Sequence, residues 1–298
     1  MPDIAAAALG CDRGGAARAA LDGGMKPVAF DYEKPGDLAT AIALLAGANG
    51  EGKVVAGGQS LGPMLNLRLA QPRLLVDVRG LEALSAVEES ADATTIGAAV
   101  THAAIEDGRV APPTGAFLRF VAADIAYRAV RNRGTIGGSL AHADPAADWL
   151  TALLLLDASV LVEGSGGRRT LPAAEFVTGP FQTSLAADEI AVAVRIPKLS
   201  RAARWGYYKF CRKPGEFAEA IGAVLHDPER GIARAAIGAT GGAPHVVASA
   251  ADLLGGGAAK AALHMVEEAG LGEDAYERQV HLVALKRAAL RLMESRAP

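Results

Sequence analysis

Two glycine pairs constrain the fold of this chain more than any other sequence feature. The first lies in Ala56-Gly57-Gly58-Gln59-Ser60 and the second in Thr135-Ile136-Gly137-Gly138-Ser139. Each follows a short stretch that we interpret as a strand, Lys53–Val55 before the first pair and residues 131–134 before the second. Paired glycines permit positive φ and close backbone approach, and successive N–H groups in such a loop suit a phosphate anion. The two loops, each ending in a hydroxyl side chain, predict a diphosphate cofactor held from two sides.

Chance is the alternative explanation for either pair alone, because the chain contains 35 glycines. The sequence around the pairs, together with a third block, argues against chance. The three blocks are Ala56–Arg68, Arg131–Asp148 and Tyr208–Ala218. Their combination and order resemble the FAD-binding medium subunit of molybdenum hydroxylases, the family of carbon monoxide dehydrogenase medium chains and xanthine dehydrogenase FAD domains. The resemblance runs from about Met25 to the C-terminus.

This resemblance implies that the chain binds FAD and assigns the contacts residue by residue. Both glycine segments would contact the diphosphate, Asp148 and Lys209 would sit at FAD-contacting positions, and Ile125 and Ile190 would contribute backbone or apolar contact. Ser139 replaces the asparagine common in the second segment, and its hydroxyl can still form a hydrogen bond. The implied cofactor-binding residues are Ala56, Gly57, Gly58, Gln59, Ser60, Leu61, Ile125, Thr135, Ile136, Gly137, Gly138, Ser139, Asp148, Ile190 and Lys209.

The resemblance also implies an α+β fold. Its first part would be an FAD-binding domain of the vanillyl-alcohol-oxidase (PCMH) type, with two α/β subdomains, over residues 25–200. A small C-terminal domain with an antiparallel sheet and helices would follow over residues 201–298. Residues 1–24 show little apolar periodicity and are predicted to be a disordered extension or the result of an upstream start codon. A targeting peptide is the alternative, which the acidic residues there disfavour.

Apolar spacing predicts several individual elements. Short strands alternate with helices as far as Pro197, and after Ser200 three longer strands and two helices follow. Helices are predicted from Asp37 to Leu45, from Met64 to Ala70, from Ala146 to Leu156, from Ala248 to Ala269 and from Asp274 to Glu294.

Composition excludes several classes of function. The net charge of −3 argues against a nucleic-acid partner, and no apolar run approaches the length of a membrane span. With only two cysteines the chain cannot ligate an iron–sulfur cluster alone, and a disulfide framework is not expected, which favours the cytoplasm. No metal motif is present, and a Rossmann fingerprint is absent.

The side chains near the glycine pairs allow more than one reading. Arg131 and Arg133 are interpreted as solvated arginines, with added charge for the diphosphate as the alternative. Lys209 is a candidate cation beside N1 of the flavin, although a lysine guarding a strand edge fits as well. His102 and His142 are interpreted as structural, and no catalytic residue is identified.

The function implied by the resemblance is that of an electron-transfer flavoprotein subunit. Its partners would be a large molybdenum-cofactor subunit and a small iron–sulfur subunit, and FAD would pass electrons to NAD, a quinone or oxygen. Two alternatives stay open, a standalone FAD-dependent oxidoreductase of the same fold and a scaffold subunit without cofactor.

Overall fold

The computed structural model describes residues 26–294, so the extension predicted for residues 1–24 lies outside the described residues. Within that range the chain combines helices with four β-sheets, and the predicted α+β class is confirmed.

A three-stranded parallel sheet forms the first subdomain. Its elements are β1 (Asp31–Glu33), α1 (Leu38–Gly47), β2 (Gly52–Val55), α2 (Leu61–Asn66) and β3 (Leu74–Asp77). Strand β3 lies between β1 and β2 and runs parallel to both. Because β2 ends at Val55, the first glycine pair lies at the carboxyl end of a parallel strand, where ligands of α/β sheets bind.

The two helices of this subdomain differ in how well they agree with the helices predicted from the sequence. Helix α1 is capped as predicted, since the Asp37 carboxylate accepts the amide of Thr40. Helix α2 is predicted at Met64–Ala70 but begins earlier, at Leu61, directly after Ser60, the last residue of the first glycine segment. It ends early because Arg68 adopts a φ of 58°, a conformation that cannot continue a right-handed helix.

The second subdomain is built on an antiparallel sheet of five strands. Its order is β4-β5-β10-β6-β7, so β10 closes the sheet between strands that precede it in the chain. Its elements are β4 (Val87–Glu89), β5 (Ala93–Gly97), α3 (His102–Glu106), α4 (Thr114–Ala123), α5 (Arg128–Arg131), α6 (Ile136–His142), α7 (Asp148–Leu155), β6 (Ser159–Gly164), β7 (Gly167–Pro172), α8 (Ala173–Phe176), β8 (Val177–Gly179), β9 (Gln182–Thr183) and β10 (Ile190–Pro197).

The interpretation of the second glycine pair as a loop after a strand is wrong. The preceding residues form helix α5, and Gly137 and Gly138 lie in the first turn of α6. Thr135 caps this turn, because its hydroxyl accepts the amide of Gly138. A threonine N-cap stabilises a helix start by about 1 kcal/mol, which offsets the low helix propensity of glycine.

A four-stranded antiparallel sheet and two helices complete the described chain. The elements are β11 (Arg204–Phe210), β12 (Ala220–Asp227), β13 (Ile232–Gly238), β14 (His245–Val247), α9 (Ala258–Glu268) and α10 (Ala275–Glu294). The helix predicted for residues 248–269 is interrupted, because three successive glycines at 255–257 separate a short 3-10 turn from α9. The domain boundary at residue 200 stays a prediction.

Helix α7 lies in the interior, between the second subdomain and the C-terminal sheet. All its residues are buried, and it packs against β12 and β13 as well as α4 and α6. Helix α10 covers the other face of the C-terminal sheet so closely that a Cβ on Gly206 would lie 1.9 Å from the carbonyl oxygen of Ala288. Among residues 26–294, no helix is long and apolar enough to cross a bilayer.

Candidate functional site

The two glycine segments, far apart in sequence, pack against each other. A Cβ on Gly57 would lie 2.1 Å from the carbonyl oxygen of Arg133 and 2.7 Å from the Cα of Gly134. No side chain fits in that space, so the contact requires glycine at position 57. The structure therefore brings together the two segments that the sequence identified.

The first glycine segment contains a run of backbone amides that are available to a ligand. The N–H groups of residues 57–61 donate to no acceptor within the described residues. Gly58 adopts a φ of 71°, a conformation that favours glycine. Consecutive free N–H groups of this kind form a concavity for an anion, and the start of α2 adds the positive end of a short helix.

The second segment offers fewer donors than the sequence led us to expect. The amides of Ile136 and Gly137 donate to the carbonyl oxygens of Val100 and Ala98. The amide of Gly138 donates to the Thr135 hydroxyl. The amide of Ser139 donates to the Thr135 carbonyl. These groups are therefore not free to bind a phosphate.

The backbone amide of Thr135 is a donor in this segment that is available to a ligand. Its amide has no acceptor in the part of the chain that the structure describes. The Gly134 carbonyl accepts the amide of His102, and the Ile136 amide donates to the carbonyl of Val100. Because the Thr135 amide lies in the same planar peptide group as the Gly134 carbonyl, it points away from residues 100–102.

These two surfaces present N–H donors of the kind that a diphosphate group accepts. One side supplies the amides of residues 57–61, and the other supplies the Thr135 amide and the exposed Gly138, which presents no side chain. Donors on both sides satisfy phosphate oxygens without a nearby cation.

Asp148 and Lys209 form a buried ion pair. The Nζ of Lys209 lies 2.9 Å from Oδ2 of Asp148, and their side chains are 2% and 4% exposed. The hydroxyl of Tyr207 donates to Oδ1 of Asp148 at 2.7 Å. Burial raises the pKa of the Asp148 carboxyl, against the opposing charge of Lys209, and it raises the pKa of Tyr207 well above 10. Tyr207 therefore stays a hydrogen-bond donor.

The segment 124–127, which contains Ile125, has its carbonyl groups held by two cations. Lys209 Nζ donates to the Asp124 carbonyl at 3.1 Å. Nη1 of Arg131 donates to the carbonyls of Ile125 and Ala126 at 3.0 and 2.9 Å. This segment therefore lies beside the Asp148–Lys209 pair.

Ile190 lies apart from these groups. It begins β10 and is 3% exposed, in a core cluster that includes Ile42 and Val192. The partly buried Ile125 instead packs at the edge of the main core cluster. The structure thus brings together the glycine segments, Asp148, Lys209 and Ile125, while Ile190 supports the first subdomain.

His102 supports the second glycine segment from behind. Its Nδ1 accepts the indole N–H of Trp149 at 3.0 Å, and its Nε2 would lie 2.8 Å from a Cβ on Gly134. Burial, with a smaller contribution from the charge of Arg131, lowers the pKa of His102 to about 4. The ring is therefore neutral at pH 7, which agrees with its interpretation as a structural group.

Tyr207 was not identified in the sequence, and the partner of Arg131 was not foreseen. Tyr207 precedes Lys209 by two residues on β11, and the period of two in a strand places both side chains on one face, so this signal was available. The interpretation of Arg131 as a solvated arginine is wrong, because its side chain is 11% exposed and pairs with Glu106, which lies too far away in sequence for any local pattern to reveal the pair.

Among the described residues, no group of three or more His, Cys, Asp and Glu side chains is arranged to hold a metal ion.

Residues 28–199 match the family described as the FAD binding domain in molybdopterin dehydrogenase. This range contains both glycine segments and Asp148.

Individual proteins are similar over most of the chain. The nicotine 6-hydroxylase medium subunit of Paenarthrobacter nicotinovorans is 40% identical over 238 residues, which cover 78% of this chain and 82% of that protein. Two solved structures each cover 90% of this chain and 98% of their own. One is carbon monoxide dehydrogenase from Hydrogenophaga pseudoflava lacking the Mo-pyranopterin moiety of the molybdenum cofactor (TM-score 0.82, 31% identity). The other is quinoline 2-oxidoreductase from Pseudomonas putida 86 (TM-score 0.81, 33% identity).

Proposed function

Because this chain belongs to the family of FAD-binding medium subunits of molybdenum hydroxylases, we propose that it carries electrons from a partner's iron–sulfur clusters through FAD to an acceptor. The matches to known proteins confirm three predictions made from the sequence blocks: the family, the fold and FAD as the cofactor. The chain is thus an oxidoreductase subunit. The observation that carries the proposal is the run of free amides at residues 57–61 packed against the segment that contains Thr135.

The residues of this chain bind and orient the cofactor. We assign the diphosphate to the amides of residues 57–61 and of Thr135, with Gly138 providing close approach. Ala56, Ile136, Gly137 and Ser139 shape the same two surfaces. The Asp148–Lys209 pair and Ile125 are assigned to the part of FAD beyond the diphosphate, and Ile190 to an indirect, supporting role.

When bound, FAD supplies redox chemistry that can accept electrons singly and deliver them as a pair. Lys209 brings a fixed cation to the site, and a cation favours the more negative, reduced form of the flavin. Because Asp148 offsets that charge and both groups are buried, the pair holds a dipole in place without adding net charge.

The iron–sulfur and molybdenum centres are assigned to other chains. Two cysteines fall short of the roughly four thiolates that an iron–sulfur cluster needs. The relatives include proteins named medium subunit or medium chain, which favours a complex with a large molybdenum-cofactor subunit and a small iron–sulfur subunit. The substrate pocket would lie on the large subunit, and the reducing cytoplasm would suit such a complex.

The test begins with the purified full chain. Its visible absorption spectrum and the chromatographic identity of any released flavin show whether FAD is bound. A protein that carries no flavin and does not take up added FAD, alone or in its complex, would contradict the proposal and favour a scaffold subunit.

Co-purification addresses the second part of the proposal. We expect an affinity-tagged chain, expressed in its native host, to bring down one larger and one smaller chain that contain molybdenum and iron. A flavin-loaded protein that is isolated alone and oxidises a substrate without partners would instead support the standalone oxidoreductase.

A further inference from the structure

Two carbonyl groups of the segment 124–127 accept hydrogen bonds from Arg131. We propose that Arg131 is a positioning residue that fixes this segment in the shape required to receive FAD, an inference that rests on the proposed FAD site. The residue does not contact the cofactor in this proposal. It acts through the carbonyl groups of Ile125 and Ala126.

The first step of the argument is the direction of three consecutive carbonyl groups. Arg131 Nη1 holds the carbonyls of Ile125 and Ala126 at 3.0 and 2.9 Å, and Lys209 holds that of Asp124 at 3.1 Å. Hydrogen bonds to a charged donor are stronger than neutral ones. The segment is therefore held from two elements, α5 and β11.

The second step is the cost of this conformation. Ala126 adopts a φ of 46°, the left-handed region that non-glycine residues rarely occupy. Such a backbone persists only when its surroundings hold it there. Because Arg131 bonds to the carbonyl of Ala126 itself, it is the described side chain that acts most directly on the unfavourable dihedral.

The third step is the rigidity of Arg131. Its Nε and Nη2 donate to the two carboxylate oxygens of Glu106 at 2.8 and 3.0 Å. The Arg131 side chain is 11% exposed, and a bidentate, largely buried guanidinium has one well-defined orientation. Arg131 is thus itself held in place before any ligand arrives.

The fourth step connects this segment to the cofactor site. The amides of Ala126 and Tyr127 have no acceptor in the described chain, so the side of the backbone away from Arg131 is available to a ligand. The Lys209 ammonium that holds Asp124 also pairs with Asp148. Two residues after Arg131 comes Arg133, whose carbonyl packs on the first glycine segment.

Arg128 provides a matched control. It lies one turn earlier on α5 and also binds Glu106, with Nη1 2.6 Å from Oε2. It bonds to Asp107 and Asn132 but to neither carbonyl of the 124–127 segment, and its side chain is 45% exposed. Substitution of Arg128 therefore removes an arginine–Glu106 pair without touching that segment.

The experiment compares Arg131→Met, Arg131→Lys and Arg128→Met with the wild-type full chain. Stripped protein is titrated with FAD, and the visible circular dichroism and midpoint potential of the bound flavin are recorded. We expect Arg131→Met to raise the Kd for FAD by about tenfold or more and to change both flavin signals. Arg131→Lys keeps a charged donor, so its Kd for FAD should lie between those of the wild type and Arg131→Met. The Kd of Arg128→Met should stay within about twofold of the wild-type value.

Thermal unfolding with and without FAD separates positioning from mere stability. A cofactor raises the melting temperature according to its affinity, so a positioning role predicts a smaller FAD-induced increase in Arg131→Met than in wild type. An unchanged increase, together with wild-type dichroism and potential, would overturn the inference. If Arg131→Met does not fold, Arg131→Lys decides, and wild-type Kd and dichroism in that variant would overturn the inference too. A wild-type chain that binds no FAD would contradict the proposed function itself.

Discussion

Lys209 and Asp148 form an ion pair that joins the C-terminal sheet to the first residue of the buried helix α7. Their charged atoms are 2.9 Å apart, and both side chains are almost inaccessible to solvent. Burying two charges is costly, and their attraction offsets that cost only while both are present. The pair therefore ties the position of β11 to that of α7, on either side of the predicted domain boundary.

Removing one partner should be more damaging than removing both. We expect Lys209→Met to lower the free energy of unfolding by about 3–5 kcal/mol, because a buried carboxylate loses its cation. The double variant Lys209→Met with Asp148→Asn should recover part of that loss. Urea unfolding of the two single variants and the double variant measures the coupling, and strictly additive losses would show that the pair is not coupled.

Close contact between the glycine segments leads to a test of the diphosphate site. Gly57→Ala places a methyl group 2.1 Å from the Arg133 carbonyl oxygen, so the two segments must separate. We expect a loss of about 1–3 kcal/mol in stability and a Kd for FAD raised by at least about tenfold, measured by titration.

Gly62→Ala is the control for that variant, because no atom of the described residues outside α2 lies within 4 Å of the added Cβ. Its FAD affinity should equal that of the wild type, and α2 should become slightly more stable. An equal loss of affinity in both variants would indicate general sensitivity of this segment and not a requirement for close contact.

Gly138→Val tests the surface of the second segment. Gly138 is exposed, although its Cβ would lie 2.8 Å from the Thr135 hydroxyl that caps α6. We expect a stability loss no larger than that of an N-cap, about 1 kcal/mol, and the loss of FAD binding. Ser139→Ala, which adds no bulk, should still bind FAD; retention of flavin by Gly138→Val would refute this assignment.

His102 should make stability depend on pH. Its pKa is lowered from 6.5 to about 4 in the folded protein, so the unfolded chain binds more protons than the folded chain between these values. Stability is then fully present above pH 6.5 and falls as pH drops toward 4, by about 3 kcal/mol for this shift.

Comparison with His102→Gln isolates this contribution, because glutamine keeps an acceptor for Trp149 but does not titrate. The difference in unfolding free energy between the wild type and this variant, measured in urea at several pH values, should change between pH 6.5 and 4. A constant difference over that range would contradict the lowered pKa.

Local signals explain which elements the sequence predicted correctly. The Asp37 cap and the apolar spacing of α1 depend only on neighbouring residues, and the structure has this helix as expected. Helix α2 and the region of residues 248–269 were misplaced, because the positive φ of Arg68 and the three glycines before α9 decide where each helix ends or begins.

The second glycine pair shows what a local pattern could not reveal. Two adjacent glycines resemble a loop, but the Thr135 cap and the bonds from Ile136 and Gly137 to the segment after β5 fix a helical turn there. These partners lie about 40 residues earlier in the chain, so the contacts close a long loop. A pattern of neighbouring residues cannot reveal such contacts. The resemblance identified the site residues, whereas the assignment of individual amides required the structure.

Strand β10 completes the five-stranded sheet by pairing Ala193–Pro197 with Ala93–Gly97. During synthesis, at about 5–20 residues per second, β5 leaves the ribosome several seconds before its partner strand. The nascent chain meanwhile carries open strand edges on β5 and β6, which can pair with other chains. The cellular yield of this protein should therefore respond to the supply of chaperones that bind nascent chains, even for variants whose finished fold and cofactor site are unchanged.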